Sequence, residues 1–268
     1  MRVIIAHDPA NVAQTCAELI SEQLQLKPCS VLGLATGSTP IALYKQLVSR
    51  YQAGNMSFLG VKSFNLDEYV GLSGTHPQSY RYFMQQHLFD HVDIRAKQTE
   101  VPLGQVEPSK ECIRYEKAIV QAGGIDLQIL GLGANGHIGF NEPSSSLVSK
   151  TRVKTLTPAT MAANARFFDK NEYQPELALT MGIGTIMRAR QVVLLATGIH
   201  KAKAVQAMIE GPVSAQDPAS ILQFHERATV VLDADSAGLL KQYEYYQWVE
   251  EVRKRTNLNE FVLGQSAS

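Results

Sequence analysis

The side chains best suited to acid–base chemistry in this sequence are a carboxylate pair and a histidine. Asp67 and Glu68 directly follow an apolar run, and His137 lies in the glycine-rich segment 131–143, five residues before Glu142. A positioned carboxylate can take a proton from carbon, and a histidine titrates near neutral pH and can pass a proton in either direction. Two adjacent acids point in different directions, so we expect at most one of the pair to face a ligand. The alternative for both is a helix-capping or surface role.

A second group of residues has the properties of an anion site. An apolar run leads into a turn of small and hydroxyl-bearing residues, and a proline typical of a helix start follows: Thr36, Gly37, Ser38, Thr39 and Pro40. Free N–H groups at a helix N-terminus favour phosphate, and small residues let the backbone approach it closely. The alternative is a capping turn whose hydroxyls only satisfy helix amides. The lysine of a nucleotide P-loop is missing.

Two basic residues belong with this anion-binding interpretation. Lys201 lies at a predicted helix start, where a cation opposes the helix dipole, and a bound anion would relieve that conflict. Arg166 lies in the segment 164–168. For each of them the alternative is an exposed surface charge.

The glycine-rich segment also contains the letters GLGANG at 131–136, which match the G-x-G-x-x-G pattern of dinucleotide sites. That pattern needs a long helix directly after it and an acidic residue about 20 positions further on. Pro143 interrupts the helix, and the next predicted strand, 152–156, ends without an acid. We therefore reject a dinucleotide site.

The spacing of the residues indicates neither a metal site nor a catalytic nucleophile. No second His or Cys lies at ligand spacing from His137, and the three cysteines, Cys16, Cys29 and Cys112, are too far apart for a zinc cluster or a disulfide framework. No serine or cysteine nucleophile motif occurs. The set that remains suits proton transfer on a phosphorylated small molecule, without metal or cofactor.

The elements that must position these residues alternate between short apolar runs and amphipathic segments. Strands are predicted at 2–6, 31–35, 61–66, 125–130, 152–156, 177–181, 191–197 and 229–232, and helices at 9–26, 41–51, 78–88, 107–121, 199–210 and 236–254. Strands that are apolar on both faces and separated by helices predict an α/β fold, with an open, mostly parallel sheet and helices on both faces. Ligands bind at the carboxyl ends of such strands. The turn at 36–40, the carboxylate pair at 67–68, the glycine-rich segment at 131–143 and the segment around Lys201 each follow a predicted strand. No linker divides the chain, so we predict a single domain over 1–268 with a weakly held tail at 257–268.

The composition is that of an ordinary globular protein. The 268 residues contain 25 basic and 25 acidic side chains, so the formal net charge is zero, which argues against nucleic acid as a partner. No run approaches the roughly 20 apolar residues of a membrane span, and the N-terminal apolar run is too short for a signal peptide. We expect a cytoplasmic protein that does not contact a membrane.

Four segments together resemble the glucosamine-6-phosphate deaminase family. They are LGLATGSTP at 32–40, FNLDEYVGL at 64–72, GLGANGHIGFNEP at 131–143 and TRVKTLTPATMAANARFF at 151–168, and the resemblance extends to about residue 235. It implies a modified Rossmann-like, NagB-type fold. It also implies conversion of glucosamine 6-phosphate and water to fructose 6-phosphate and ammonia in amino-sugar catabolism, with no cofactor.

The resemblance assigns a role to each motif residue. Asp67 would move a proton between C2 and C1 of the open sugar, and His137 would assist ring opening, oriented by Glu142 and Asn135. The phosphate would be held by Thr36, Gly37, Ser38, Thr39, Arg166 and Lys201. Some relatives carry Asp where this chain has Asn135. An amide orients the histidine but does not stabilise its cation as a carboxylate would, so the pH profile is expected to differ.

Many members of that family are hexamers that N-acetylglucosamine 6-phosphate activates at a subunit interface. The resemblance therefore implies a homo-oligomer, with a hexamer favoured, and a second sugar-phosphate site. The positions that match this site are Met1, Arg2, Ser145, Arg152 and Lys154. The Tyr and Trp residues of the C-terminal segment suit either an interface or a packed helix.

Two other functions remain open at this stage. A 6-phosphogluconolactonase shares the general fold and binds a sugar phosphate, but it needs no carbon base, so the NLDEY motif argues against it. A sugar-phosphate-sensing regulator would need a DNA-binding segment, and no basic helix-turn-helix region occurs in the sequence.

Overall fold

The computed structural model describes residues 1–157, Met161 and 174–256. Its large sheet has seven strands, and every pair of neighbours is parallel. These strands are β1 (Arg2–Ala6), β2 (Val31–Leu34), β3 (Lys62–Asn65), β5 (Thr99–Glu100), β6 (Leu127–Gly131), β9 (Gln191–Ala196) and β10 (Ala228–Asp233). The predicted α/β class with a mostly parallel sheet is confirmed.

The strand order places a crevice at the middle of this sheet. The order is β1-β10-β9-β6-β2-β3-β5, so the chain winds outward from β2 in one direction and from β6 in the other. Neighbouring strands whose connections leave in opposite directions open a crevice at their carboxyl ends, and ligands of doubly wound folds bind there.

A second, three-stranded antiparallel sheet was not predicted from the sequence. It has the order β4-β8-β7 and consists of β4 (Asp67–Tyr69), β7 (Arg152–Thr155) and β8 (Leu177–Thr180). Only three residues form β4, too few to show a periodicity, and the sequence analysis treated them as a loop. The chain passes from β3 through Leu66 into β4, so the two sheets join directly before Asp67.

Five of the eight α-helices within the described residues begin at a polar side-chain cap or a proline. The eight are α1 (Pro9–Leu26), α2 (Thr39–Gln52), α3 (Tyr80–His87), α4 (Pro108–Gln121), α5 (Ile183–Ile186), α6 (Ala202–Glu210), α7 (Ala234–Ala237) and α8 (Tyr243–Thr256). Asp8 caps α1, since its Oδ1 accepts the Asn11 N–H at 2.8 Å, and Ser79 caps α3 in the same way.

The single helix predicted over 236–254 is wrong. The chain forms α7, leaves the helical conformation and re-forms as α8. Glu210, at the end of α6, accepts the N–H groups of Lys241 and Gln242 at 2.9 Å each. These bonds come from a distant part of the chain. Within the segment itself, Gly238 at the C-cap of α7 was the available signal of the break.

Candidate active site

The loops that carry the four groups of predicted site residues leave four neighbouring strands. Lys201 follows β9, His137 follows β6, the turn at 36–39 follows β2, and Asp67 follows β3. These strands occupy adjacent positions in the order β9-β6-β2-β3, with the crevice between β6 and β2 at their centre. Residues separated by up to 165 positions in the chain are thus brought to one edge of the sheet.

Asp67 and Glu68 have different environments. The Glu68 carboxylate accepts the backbone N–H groups of Tyr69 and Tyr80 at 2.9 Å and of Arg81 at 3.0 Å, so it holds the start of α3. Asp67 is 5% exposed and packs against Gly139, where an added β-carbon would lie 3.3 Å from its Oδ2. The expectation that the two acids point in different directions is confirmed.

The electrostatics of Asp67 favour a proton donor and acceptor near neutral pH. Burial, and secondarily the charge of Glu68, raise the pKa of Asp67 to about 8. A carboxyl group with a pKa near the working pH can both release and accept a proton at useful rates. The pKa of Glu68 is also raised, to about 7, because burial outweighs its three backbone hydrogen bonds.

His137, Glu142 and Asn135 form a connected group in the loop after β6. The Nδ1 atom of His137 lies 3.4 Å from Oε2 of the buried Glu142. Asn135 donates from Nδ2 to the same Glu142 oxygen at 2.7 Å, and its Oδ1 accepts the backbone N–H of His137 at 3.3 Å. The predicted grouping of the three residues is therefore present. Asn135 acts on the backbone of His137 and on Glu142, and no bond from its amide to the imidazole ring is found.

The ring of His137 lies directly over Gly133. A β-carbon added to Gly133 would lie 2.4 Å from three atoms of the ring, far inside van der Waals contact. Only glycine at position 133 permits this ring position. The His137 side chain is 26% exposed, so one edge of the ring reaches the crevice while Glu142 lies behind it.

Asn141 is a site residue that the sequence analysis missed. Its side chain has no exposed surface, and its Nδ2 donates to the carbonyl oxygens of Ile138 at 2.9 Å and Met181 at 2.8 Å. Its Oδ1 accepts from Arg152 on β7 at 2.8 Å. Asn141 thus fixes the loop between His137 and Glu142 to the small sheet. Its position inside the GFNEP motif was the available signal.

Three of the residues predicted for the anion site, Ser38, Thr39 and Lys201, line a cleft of about 310 Å³, whereas Thr36 and Gly37 are not among its lining residues. Ser38 and Thr39 line one side, and Thr197, His200 and Lys201 line another. Ser38 makes no side-chain cap to α2, so the alternative of a plain capping turn is wrong for this residue. The first N–H groups of a 14-residue helix are thereby left for a ligand. Gly37 has φ +98°, a conformation that glycine adopts without strain.

Lys201 is held in this cleft away from most of the solvent. Burial lowers the pKa of its amine, and no carboxylate forms an ion pair with it within the described residues. Its loop is anchored by the buried Asp233 at the end of β10, whose Oδ1 and Oδ2 lie 3.0 and 2.9 Å from the N–H of Gly198. Arg166, the other predicted phosphate ligand, lies outside the described residues.

The residues predicted for a second sugar-phosphate site fall into two groups in one copy of the chain. Met1 and Arg2 lie at the start of β1, and the Arg2 guanidinium forms a double ion pair with Glu250 on α8. The other group lies near the small sheet: Ser145, Arg152 and Lys154. β1 packs on β10, α1 and α8, whereas β7 packs on β8 and α4.

Neither a cluster of metal ligands nor a membrane-spanning helix is found in the described part of the chain. Within residues 1–157 and 174–256, no group of three His, Cys, Asp or Glu side chains comes together as metal ligands would. None of the helices there has the length and apolar character that crossing a bilayer requires.

This fold and crevice define a class of sugar-phosphate enzymes. A family model described as glucosamine-6-phosphate isomerases/6-phosphogluconolactonase matches residues 7–231, and the chain belongs to this family. Within it, the chain is 56% identical over 256 residues to a glucosamine-6-phosphate deaminase of Cellvibrio japonicus, covering 95% of this chain and 97% of the relative. It is 58% identical over 250 residues to a glucosamine-6-phosphate deaminase of Hahella chejuensis, covering 93% and 96%.

Solved structures give the same result. A monomeric glucosamine-6-phosphate deaminase superposes with a TM-score of 0.87 and 42% identity, covering 89% of this chain and all of that one. A 6-phosphogluconolactonase from Trypanosoma cruzi superposes with a TM-score of 0.73 at 21% identity, over 90% of this chain and 97% of that one. At that identity the second likeness concerns the fold alone.

Proposed function

We propose that this chain is a glucosamine-6-phosphate deaminase that converts glucosamine 6-phosphate and water to fructose 6-phosphate and ammonia. The observation that carries the proposal is Asp67, a buried carboxyl group with a pKa of about 8 at the carboxyl end of β3. Moving a carbonyl group from C1 to C2 of a sugar requires a base that removes a proton from carbon. Relatives at 54–58% identity over more than nine-tenths of the chain carry the same activity in their names.

The first step is opening of the sugar ring by His137. The anomeric hydroxyl must lose a proton and the ring oxygen must gain one, and an imidazole can make both transfers near neutral pH. Glu142, 3.4 Å from Nδ1, stabilises the imidazolium while it carries the proton. Asn135 holds that carboxylate in place through its bond to Oε2.

The second step is proton transfer by Asp67. In the open aldehyde, the Asp67 carboxylate takes the proton from C2, and the C1 oxygen takes a proton from the substrate ammonium. The electron pair of the C2–H bond shifts to give a C1–C2 enolamine with a hydroxyl group on C1. The same carboxyl group returns the proton to C1, which leaves an imine at C2. Addition of water to that imine and loss of ammonia give the ketone of fructose 6-phosphate. Asp67 ends in the protonation state in which it began.

The phosphate group anchors the substrate far from the reacting carbons. The turn at Thr36–Thr39, the start of α2, Lys201 and Arg166 bind it in the cleft at the carboxyl ends of β2 and β9. This binding energy places C1 and C2 beside Asp67. The absence of a side-chain cap on α2 and of an ion-pair partner for Lys201 within the described residues supports this role.

The test is an assay of wild-type protein with glucosamine 6-phosphate that follows ammonia and fructose 6-phosphate together. We expect the two products in equal amounts, with no added metal or cofactor. Hydrolysis of 6-phosphogluconolactone without ammonia release from the amino sugar would identify a lactonase instead. Binding of the sugar phosphate without any turnover would identify a sensor.

The pH dependence of this activity follows from the ionisation of Asp67. The carboxyl group must be ionised to take the C2 proton, and in the free protein its pKa is about 8. We therefore expect kcat/KM to rise with pH through about 8. The substrate ammonium beside Asp67 lowers its pKa, so kcat should rise at a lower pH than kcat/KM. A rise of kcat/KM complete below about pH 5 would contradict the assignment of Asp67.

Removal of the Lys201 amine should weaken phosphate binding with little effect on the chemical steps. We expect Lys201→Ala to raise KM for glucosamine 6-phosphate roughly 10- to 100-fold, because a charge-assisted hydrogen bond is lost. The kcat should change about threefold or less. Lys203→Ala, two residues further along α6, is the matched control and should leave both constants unchanged. An unaltered KM in Lys201→Ala would remove Lys201 from the site.

The proposal extends to activation by N-acetylglucosamine 6-phosphate in a homo-oligomer, with a hexamer favoured. Ser145 Oγ and Arg152 Nη2 are buried, and neither has a hydrogen-bond partner within the described residues. Both can donate to a phosphate, with Lys154 on the same strand as Arg152. In this proposal one ligand contacts both groups where two chains meet, with Met1 and Arg2 at the edge strand β1 of one chain and the other three residues on its neighbour. Tyr245 and Trp248 on α8, 54% and 59% exposed, support an oligomer.

We further propose a single domain that works in the cytoplasm. One hydrophobic core connects residues from β1 through Leu240, which supports one domain. Three free thiols, two of them buried, fit a reducing compartment.

A further inference from the structure

The loop after β9 presents two nitrogen-bearing side chains to the cleft. His200 and Lys201 both line it, opposite Ser38 and Thr39. Lys201 binds phosphate in the proposed function, whereas His200 has no role in it. In the described part of the chain, no hydrogen bond or ion pair joins the His200 ring to another residue. The imidazole nitrogens are therefore available to a ligand.

The position of the His200 ring is set by the backbone beneath it. A β-carbon added to Gly198 would lie 3.0 Å from Nδ1 and 3.1 Å from Cε1 of His200, so the ring rests on this glycine. Gly198 has φ +87°, and the Asp233 carboxylate accepts its N–H. The buried Asp233 side chain, which is 2% exposed, thus fixes the backbone of this loop, and the His200 ring packs on that backbone.

The charges around the cleft favour an anion beside His200. The described residues that line the cleft include no Asp or Glu, and Lys201 is the only lysine or arginine among them. An imidazole donates an N–H whether it is neutral or protonated, and a phosphate monoester offers three acceptor oxygens. Lys201 donates at one point of such a group, which leaves oxygens for further donors.

We infer that His200 is a second side-chain ligand of the substrate phosphate, donating an imidazole N–H beside the amine of Lys201. This inference rests on the proposed function, because it takes the cleft as the phosphate site. It adds a donor that the sequence motifs do not mark. His200 takes no part in the proton transfers, so its contribution is to binding and not to the chemical steps.

The test compares two substitutions that differ in whether an N–H donor remains. His200→Leu removes the donor, whereas His200→Gln keeps one of similar reach. We expect His200→Leu to raise both KM for glucosamine 6-phosphate and the calorimetric Kd for inorganic phosphate roughly 10-fold. The kcat should stay within about twofold, and His200→Gln should lose about threefold or less. Ile199→Ala, at the adjacent residue whose side chain is 68% exposed, is the control and should change nothing.

The remaining outcomes separate this inference from the function on which it rests. If Lys201→Ala weakens phosphate binding and His200→Leu does not, the cleft stands and the inference is overturned. Equal losses in His200→Leu and His200→Gln would overturn it too, because the N–H would then be irrelevant. If neither Lys201→Ala nor His200→Leu weakens phosphate binding, the phosphate site lies elsewhere and the substrate anchor of the proposed function fails with it.

Discussion

Asp67→Asn should abolish the deamination of glucosamine 6-phosphate and at the same time stabilise the fold. An amide of the same shape cannot take the C2 proton, and loss of a general base typically costs 10²- to 10⁴-fold, so we expect kcat to fall roughly 1000-fold. KM should change little, because the phosphate anchor is untouched. The measurement is the coupled assay for ammonia and fructose 6-phosphate with wild type and variant.

The stability change follows from the raised pKa of Asp67. The pKa is about 8 in the folded chain, against an ordinary value of 3.8. Between these two values the unfolded chain is ionised at this position and the folded chain is protonated, so wild-type stability falls as pH rises. Asparagine has no charge to bury. We expect the variant to gain roughly 1–3 kcal/mol in free energy of unfolding near pH 7, and less near pH 5.

A matched control is Asp235→Asn, at an exposed aspartate on α7. It should leave kcat and the free energy of unfolding unchanged. An Asp67→Asn variant that keeps more than about a tenth of wild-type activity would exclude Asp67 as the carbon base. A variant that loses stability at every pH would show that the Asp67 carboxylate is needed for the fold and not only for the reaction.

Gly133→Ala should remove most of the activity, although Gly133 itself takes no part in the reaction. The new β-carbon would lie 2.4 Å from three atoms of the His137 ring, so the ring must leave its position beside Glu142. Because that side chain is partly exposed, it can rotate into the crevice and the fold survives. We expect kcat/KM to fall roughly 100-fold, since ring opening loses its positioned acid and base.

The control for this prediction lies two residues earlier, at the last residue of β6. A β-carbon at Gly131 would meet nothing within 4 Å, so Gly131→Ala should retain wild-type activity. The affinity for inorganic phosphate should be the same in both variants, because the cleft beside Lys201 is not involved. Equal activity in Gly133→Ala and the wild type would mean that the ring position over Gly133 is not the working one.

The sequence predicted the local elements more accurately than their arrangement. Helix α1 was predicted at 9–26 and is observed at Pro9–Leu26, because Asp8 and Pro9 mark its start and an amphipathic pattern runs through it. The small sheet was missed, since β4 is only three residues long and pairs with β8, which lies more than 100 residues further along the chain. The break before α8 was missed although Gly238 marks the end of α7, because the bonds that hold the break come from Glu210 on another helix.

For the predicted site, too, the positions of the residues were easier to predict than their contacts. The placement of Asp67, His137 and Lys201 at neighbouring strand ends could be predicted, because strand ends concentrate functional groups in a parallel sheet. The supporting contacts could not be predicted from the motifs. Asn141 and Asp233 act through bonds to backbone groups of other elements, and the partner of such a bond is visible only in the folded chain.

Asp67 lies at the junction between the two sheets, so its position depends on how the two sheets are oriented. The phosphate cleft belongs to the large sheet, through β2 and β9, whereas Asp67 is the first residue of β4 in the small sheet. The distance from the anchored phosphate to the base is therefore set by the angle between two separate sheets. A rotation of the small sheet by a few degrees about Leu66 would carry the carboxylate toward or away from C2 without altering the cleft. Under the proposed activation, a ligand at Arg152, on the far strand of the small sheet, would act on the angle between the two sheets.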